Sequence, residues 1–348
     1  MSGERGGFEP VAQLAERLPV FVVTGFLGSG KTTLLNHLLH EPGMGRTAVV
    51  VNEFGTVGLD HRLIATASED LVVLDGGCVC CSLRGDLITT LRNLFLKRVR
   101  MEVPEFERVC IETTGLADPA PILHTLLADP LVNARYRLQT VIALVDGMLG
   151  ESQLDEFPEA VKQAAMADRL VVTKTDLAGA AKISRVMGAL QRINPAATLL
   201  TAVHGGVSAE RLLAGGLYDA ARKGADVQAW LGADRGAPSD AGHGVTSFSI
   251  DLAGPVAAEV LSGALQTLVR EHGGELLRLK GVVAVRGEAG PVVVHAVQHL
   301  LHPPLALTDA APGLPIGKLV FIVRDLSEAA VRRLLQDAGM AIRSFRLT

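Results

Sequence analysis

Gly25-Phe26-Leu27-Gly28-Ser29-Gly30-Lys31-Thr32 fits the pattern G-x-x-x-x-G-K-[ST], in which backbone N–H groups of a glycine-rich turn cradle phosphates. The flanks suit it. Val20-Phe21-Val22-Val23 ahead of it is a short apolar, β-branched run, as a buried strand would be, and Thr33-Leu34-Leu35-Asn36-His37-Leu38-Leu39 behind it favours a helix. Strand, loop and helix together aim N–H groups and a positive helix end at an anion. Lys31 is expected to reach the β- and γ-phosphates, and Thr32 to hold Mg²⁺. The stretch announces a nucleoside triphosphate and leaves the base open.

Around this loop the chain alternates strand-like and helical segments. Thr47–Val51, Leu71–Leu74, Val109–Ile111, Thr140–Val145, Arg169–Val172 and Thr198–Leu200 read as strands. Amphipathic stretches at Leu87–Val99 and Ala178–Ile193 separate some of them. Continuous apolar strands between helices predict an α/β fold, a mostly parallel sheet covered by helices on both faces. Beyond Trp230, the run Gly232–Gly242 is a linker by composition, and the rhythm changes. Strands at Val245–Ile250, Leu276–Val285, Val292–Val297 and Lys318–Val323 accompany helices at Val256–His272 and Glu328–Ala338. Arg286–Gly290 reads as a hairpin turn, so a smaller α+β domain with an antiparallel sheet and helices on one face is expected. The divisions are a flexible extension over 1–18 (with a short helix around Val11–Leu18), a nucleotide domain over 19–230, a linker over 231–244 and a C-terminal domain over 245–348.

The 348 residues are 48% hydrophobic and 20% charged, which indicates a folded globular chain with room for a large core. A net charge of −4 offers no electrostatic case for nucleic acid. No apolar run approaches the ~20 residues of a membrane span, so no membrane role is expected. Met1–Gly7 is polar with no secretory apolar region behind it, and a cytoplasmic location is the expectation. Three of the four cysteines crowd into Cys78-Val79-Cys80-Cys81. That spacing is poor for disulfides and suits thiolate metal or redox chemistry. Thiolates near a helix start and Arg84 would be stabilised there. The donor set favours Zn²⁺, with Cu(I) and Co²⁺ as alternatives. Cys110, inside an apolar strand, reads as plain core.

Two further segments bear on the nucleotide. Glu112-Thr113-Thr114-Gly115 follows a strand; the carboxylate can hold Mg²⁺ and the glycine N–H can sense the γ-phosphate. Thr173-Lys174-Thr175-Asp176 ends another strand. Asp176 could accept from guanine N1–H and its exocyclic amine, where adenine has no such pair, and the Lys174 stem would lie along the base. His295, His299 and His302 would share a helix face, but Pro303-Pro304 and the strand-like Val292–Val294 favour ordinary structural or surface histidines.

With these motifs in order, together with Val51-Asn52-Glu53-Phe54-Gly55, Leu116-Ala117-Asp118-Pro119, Leu277–Gly281 and Leu319–Ile322, the chain from about Pro19 onward resembles the CobW-type (CobW/HypB/UreG-like) P-loop GTPases, metal-inserting and metal-trafficking proteins. The resemblance implies GTP hydrolysis with Mg²⁺, a transition metal at Cys78, Cys80 and Cys81, and release of that metal to a client metalloprotein, with a homodimer also admitted. Nucleotide contacts are expected from Gly25, Gly28, Ser29, Gly30, Lys31, Thr32, Thr33, Gly115, Lys174 and Asp176. Lys31, Thr32 and Glu112 are the catalytic candidates, with Asp60 for water positioning; Thr32 and Glu112 are the Mg²⁺ ligands. The chain departs from the family at Thr56, where many members carry Glu, at Thr173, where GTPases often carry Asn, and in having no His-rich stretch. Alternatives are a metal sensor with incidental turnover, a redox protein, and an ATP-specific relative.

Overall fold

The computed structural model describes the backbone of residues 9–10, 17–51, 72–75, 83–213, 239–240, 243–307 and 314–343. Its first unit is a sheet of seven parallel strands: β1 Leu18–Gly25, β2 Thr47–Val51, β3 Val72–Asp75, β4 Arg108–Glu112, β5 Tyr136–Asp146, β6 Arg169–Thr173 and β7 Thr198–Thr201. Their spatial order is β3-β2-β4-β1-β5-β6-β7. The chain therefore builds one side of β1 with β2–β4 and then crosses to the other side for β5–β7. That reversal places the ends of β1, β4, β5 and β6 around one crevice, where open α/β sheets take ligands. Val23 pairs with both Glu112 and Ile142, and Ile142 with Arg169, so β4 ends at that level while β5 and β6 run on to the paired Asp146 and Thr173.

The longer helices are α1 Lys31–Leu39, α2 Leu83–Val99, α3 Ala120–Ala128, α4 Gly150–Glu156, α5 Pro158–Met166 and α6 Ala180–Ile193, with short turns of helix at Pro130–Asn133 and Ala209–Leu213. α6 buries Val186, Leu190 and Ile193, a helical stripe, against the sheet. α5 opens with Pro at its first position, where the missing N–H costs nothing. The strands β2, β4 and β6 are buried almost throughout, which is why they read as unbroken apolar runs.

The second unit has four main antiparallel strands, β8 Val245–Asp251, β9 Leu276–Val283, β10 Val292–Val297 and β11 Lys318–Arg324, in the order β10-β9-β11-β8. Helices α7 Ala258–His272 and α8 Glu328–Asp337 cover one face through Leu261, Leu265, Leu268, Val331 and Leu335. The opposite face carries Val245, Leu277, Val297 and Ile322, which join the core of the first unit. Residues of β9 thus serve both neighbours, with a register irregularity between Leu276 and Arg278.

Two features differ from the expectation. The N-terminal segment is not wholly a loose extension, because Glu9–Pro10 pairs in parallel with Leu305–Ala306 at the edge of the second sheet. Leu18, assigned to a short helix, begins β1, and its N–H donates to the Arg135 carbonyl at 2.8 Å. The expected helix over Val11–Leu18 otherwise lies mostly outside the described residues. No helix among the described residues is long and apolar enough to cross a membrane.

Candidate functional site

The glycine-rich loop leaves the end of β1 and returns as α1. Gly25 has φ 144°, and a Cβ there would lie 2.5 Å from the Leu144 carbonyl oxygen, so only glycine fits between β1 and β5. Gly30, with φ 91°, precedes α1, and its carbonyl accepts from Leu34 N at 2.9 Å. Gly28 also has positive φ, and Ser29 is fully buried. Lys31 opens the helix, and its Nζ donates to the carbonyls of Gly25 (3.0 Å) and Phe26 (3.4 Å), lying over its own loop. Thr33 is exposed on the first turn of α1, and its carbonyl oxygen would lie 2.7 Å from a Cβ on Gly205.

Thr32 Oγ1 donates to Glu112 Oε1 at 3.1 Å. The two residues come from opposite sides of the loop, 80 positions apart, and Glu112 is only 2% exposed. A hydroxyl and a carboxylate in this arrangement are hard oxygen donors that fit Mg²⁺. Beyond Glu112, Thr113 Oγ1 donates to Thr24 Oγ1 at 2.8 Å, and Thr113 N donates to the Val23 carbonyl. Gly115 then packs on the phosphate loop so closely that a Cβ would sit 2.8 Å from Leu27 Cα. The two loops are in direct contact.

Thr173 Oγ1 donates to the Ser29 carbonyl at 2.7 Å. The departure from Asn therefore keeps a tie between the end of β6 and the phosphate loop. Lys174 has φ 53°, uncommon for a side-chain-bearing residue. Its Nζ lies 2.6 Å from Asp146 Oδ2. The other Asp146 oxygen accepts from the N–H groups of Met148 (2.7 Å) and Leu149 (3.1 Å). Asp146 thus orients Lys174; the sequence signal was a carboxylate at the end of β5, followed by Gly147. Asp176 lies on the exposed rim, its carboxylate 3.8 Å from His204 Nε2.

The Gly115–Asp118 segment is held by α5, which sequence reading did not single out. Gln163 Nε2 donates to the carbonyls of Gly115 (3.1 Å) and Ala117 (3.0 Å), and Lys162 Nζ lies 2.5 Å from Asp118 Oδ2. Asp118 Oδ1 accepts from Ala120 N at the start of α3.

Asp60, Cys78, Cys80 and Cys81 lie outside the described residues. Among the described residues no group of three or more His, Cys, Asp or Glu is arranged to hold a metal. Cys110 is buried, and burial, partly offset by Arg108, pushes its thiol up to about 12, so it is an inert core residue. The three histidines do not share a helix. His295 lies in β10, His302 follows it back along the edge, and the two rings stack 4.1 Å apart, buried. His299 Nδ1 lies 3.2 Å from the Val269 carbonyl oxygen.

Residues 19–201 match the family described as CobW/HypB/UreG, nucleotide-binding domain, and residues 245–339 match the cobalamin synthesis protein cobW C-terminal domain. The chain is 34% identical to the zinc chaperone YjiA of Escherichia coli over 319 residues, covering 90% of this chain and 96% of that protein. It is 29% identical to the zinc chaperone CobW of Pseudomonas aeruginosa, covering 94% and 93%. Among solved structures, Zn(II)-bound YjiA GTPase from E. coli superposes with a TM-score of 0.67 at 28% identity, over 92% of this chain and 99% of that one. Both halves of the chain, each with its own sheet, are accounted for by these matches: the chain belongs to the CobW family.

Proposed function

We propose that this chain is a GTP-hydrolysing metallochaperone that carries Zn²⁺ on Cys78, Cys80 and Cys81 and passes it to a client metalloprotein. The observation that carries the nucleotide half is the contact of Thr32 with Glu112 beneath the phosphate loop, 3.1 Å apart. It supports a Mg²⁺-bound triphosphate at the level where Gly115 meets Leu27. Lys31 would exchange its loop carbonyls for the β- and γ-phosphate oxygens, stabilising charge on the transferring phosphoryl group. Asp176 and Lys174 would read guanine, and Asp60 is the candidate for positioning water. The metal half rests on the thiolate cluster and on relatives named zinc chaperones and a zinc-regulated GTPase metalloprotein activator. Here zinc is cargo, and a reducing cytoplasmic compartment suits its thiolate carriers. The residue divisions 19–230 and 245–348 go with this reading as nucleotide unit and C-terminal unit.

The test is a GTPase assay with Zn²⁺ titration of the wild type and of the Cys78/Cys80/Cys81→Ser variant. Coupled function predicts a Zn²⁺ affinity that differs between GTP- and GDP-loaded wild type, and loss of stoichiometric Zn²⁺ in the variant. Equal Zn²⁺ affinity in both nucleotide states would sink the coupled chaperone and leave a sensor with incidental turnover.

A further inference from the structure

Helix α5 touches two things that are far apart in sequence. At one side it holds the loop after β4: Gln163, 2% exposed, donates to the carbonyls of Gly115 and Ala117, and Lys162 pairs with Asp118. At its C-terminal end it is held by the second sheet. The Met166 carbonyl accepts from Arg278 Nη1. Asp168, two residues on, accepts from Arg278 Nη2 at 2.5 Å and Lys280 Nζ at 3.0 Å. Its other oxygen accepts from Val141 N at 3.0 Å, which ties the cluster to β5. The carbonyls of Ala164, Ala165 and Ala167 accept from Asn194 Nδ2.

Every one of these partners is directional. A helix end with its carbonyls spoken for, and a buried carboxylate with two cations, allow few alternative seats. At ~1.5 Å per residue, Gln163 and Met166 are only about one turn apart. A shift of α5 that keeps the Arg278 and Lys280 bonds must therefore carry Gln163 with it. Conversely, a loop drawn toward a phosphate pulls on the same rigid turn.

We propose that α5 mechanically links the Gly115–Asp118 loop to the C-terminal sheet, with Gln163 as the positioning residue for the loop and Arg278 and Lys280 as the anchor at the far end. The inference rests on the reading that Gly115 meets the γ-phosphate. It adds that the preference for triphosphate over diphosphate is set partly from β9, and that triphosphate in turn changes how firmly the C-terminal sheet is seated. Linkage makes these two effects equal in size.

The experiment measures affinities of the full chain for Mg²⁺-GTPγS and Mg²⁺-GDP by calorimetry, in the wild type, Gln163→Met, Lys280→Met and the double variant. Gln163→Met keeps the volume and removes both donated bonds. It is expected to weaken GTPγS about 10-fold, within the ~5- to 150-fold range of such couplings, and to leave GDP within about twofold. Lys280→Met, remote from the nucleotide, should shift the same ratio in the same direction, and the double variant should fall short of the product of the two. Ser247→Ala removes a bond of the C-terminal sheet to the Arg192 carbonyl, off α5, and should leave the ratio alone. Unchanged ratios, a multiplicative double variant, or an equal effect of Ser247→Ala would each overturn the link. Should Lys280→Met not fold, hydrogen exchange of the wild type replaces it. Protection of residues 164–168 and 276–282 should differ between GTPγS and GDP, and identical protection overturns the proposal. A wild type with no preference for triphosphate would bring down the Gly115 reading and the link with it. A preference that survives in Gln163→Met would bring down the link alone.

Discussion

The Thr173 hydroxyl donates to the Ser29 carbonyl at 2.7 Å, joining the end of β6 to the glycine-rich loop between β1 and α1. Ser29 and Thr173 are both buried, so water does not compensate the bond when it is removed. Thr173→Val keeps the shape and deletes the donor. GTP and GDP affinities should fall together, about 5- to 10-fold, as a lost neutral hydrogen bond of ~1 kcal/mol requires. Calorimetric titration of both nucleotides checks this; an effect on one nucleotide alone would contradict it.

Glu112→Gln preserves a partner for the Thr32 hydroxyl and removes the charge. Nucleotide binding without metal should change little. Hydrolysis should drop about 100-fold or more, the scale for losing an electrostatic contact made to the reacting charge, and the Mg²⁺ concentration for half-maximal rate should rise. Steady-state hydrolysis over a Mg²⁺ series reads both quantities.

On the proposed reading, Asp176→Ala removes the acceptor for guanine. Hydrogen bonds to a charged group contribute about 1.5–3 kcal/mol each, so GTP affinity should fall at least 10-fold while ATP affinity barely moves. Competition binding between the two nucleotides measures the ratio.

Acid should loosen the contact between the two sheets. His295 and His302 are buried neutral: burial first, then neighbouring charges including Arg278, holds both well below the usual imidazole range, His302 at about 3. Below ~6.5 the unfolded chain takes up protons that these folded histidines refuse, so stability is complete above that pH and declines beneath it, by up to ~1.4 kcal/mol per pH unit per histidine. Burial works against the Asp168 carboxylate, but Arg278 and Lys280 outweigh it and hold its pKa below the ordinary range. Its contribution is present above ~3.9 and is lost as pH falls further. Urea unfolding at pH 7.5 and pH 5 should show a lower midpoint in acid, and His302→Phe should flatten the difference.

Arg278→Met leaves Asp168 with Lys280 as its cation and the Val141 N–H, and strips the Met166 carbonyl of its Arg278 partner. Breaking a buried pair from one side costs about 3–5 kcal/mol. Denaturant unfolding should report a loss of that order, and Asp168→Asn in the same chain should restore part of it.

The phosphate loop was legible because its chemistry is local: glycines for the turn, Lys31 and Thr32 at the helix start, an apolar strand ahead. Glu112 ends β4 and Asp176 lies three residues past the end of β6, and the apolar runs of those strands are what drew attention to both residues. Gln163 gave no signal. Its partners are main-chain carbonyls 46 and 48 positions away, and a backbone acceptor leaves no mark on residue type. Arg278 and Lys280 carry the opposite lesson. Charges alternating with leucines ordinarily mark the watered face of a strand; here each is 1% exposed, because that face meets Asp168. The histidine spacing suggested a helical face, but a return of the chain along β10 brings the rings together, with His302 N donating to the His295 carbonyl.

A strand that serves two units at once cannot be lent out. Leu279 belongs to the helices of its own unit, whereas Leu277 and Arg278 belong to the other. If the chain is divided within residues 214–242, the released C-terminal piece carries Arg278 and Lys280 without Asp168, and an oily sheet face. The nucleotide-binding piece keeps Asp168 with the Val141 N–H and without its two cations. Truncation experiments on this protein will therefore report on damaged fragments, and any exchange of C-terminal halves between relatives must bring along the matching acid and its helix.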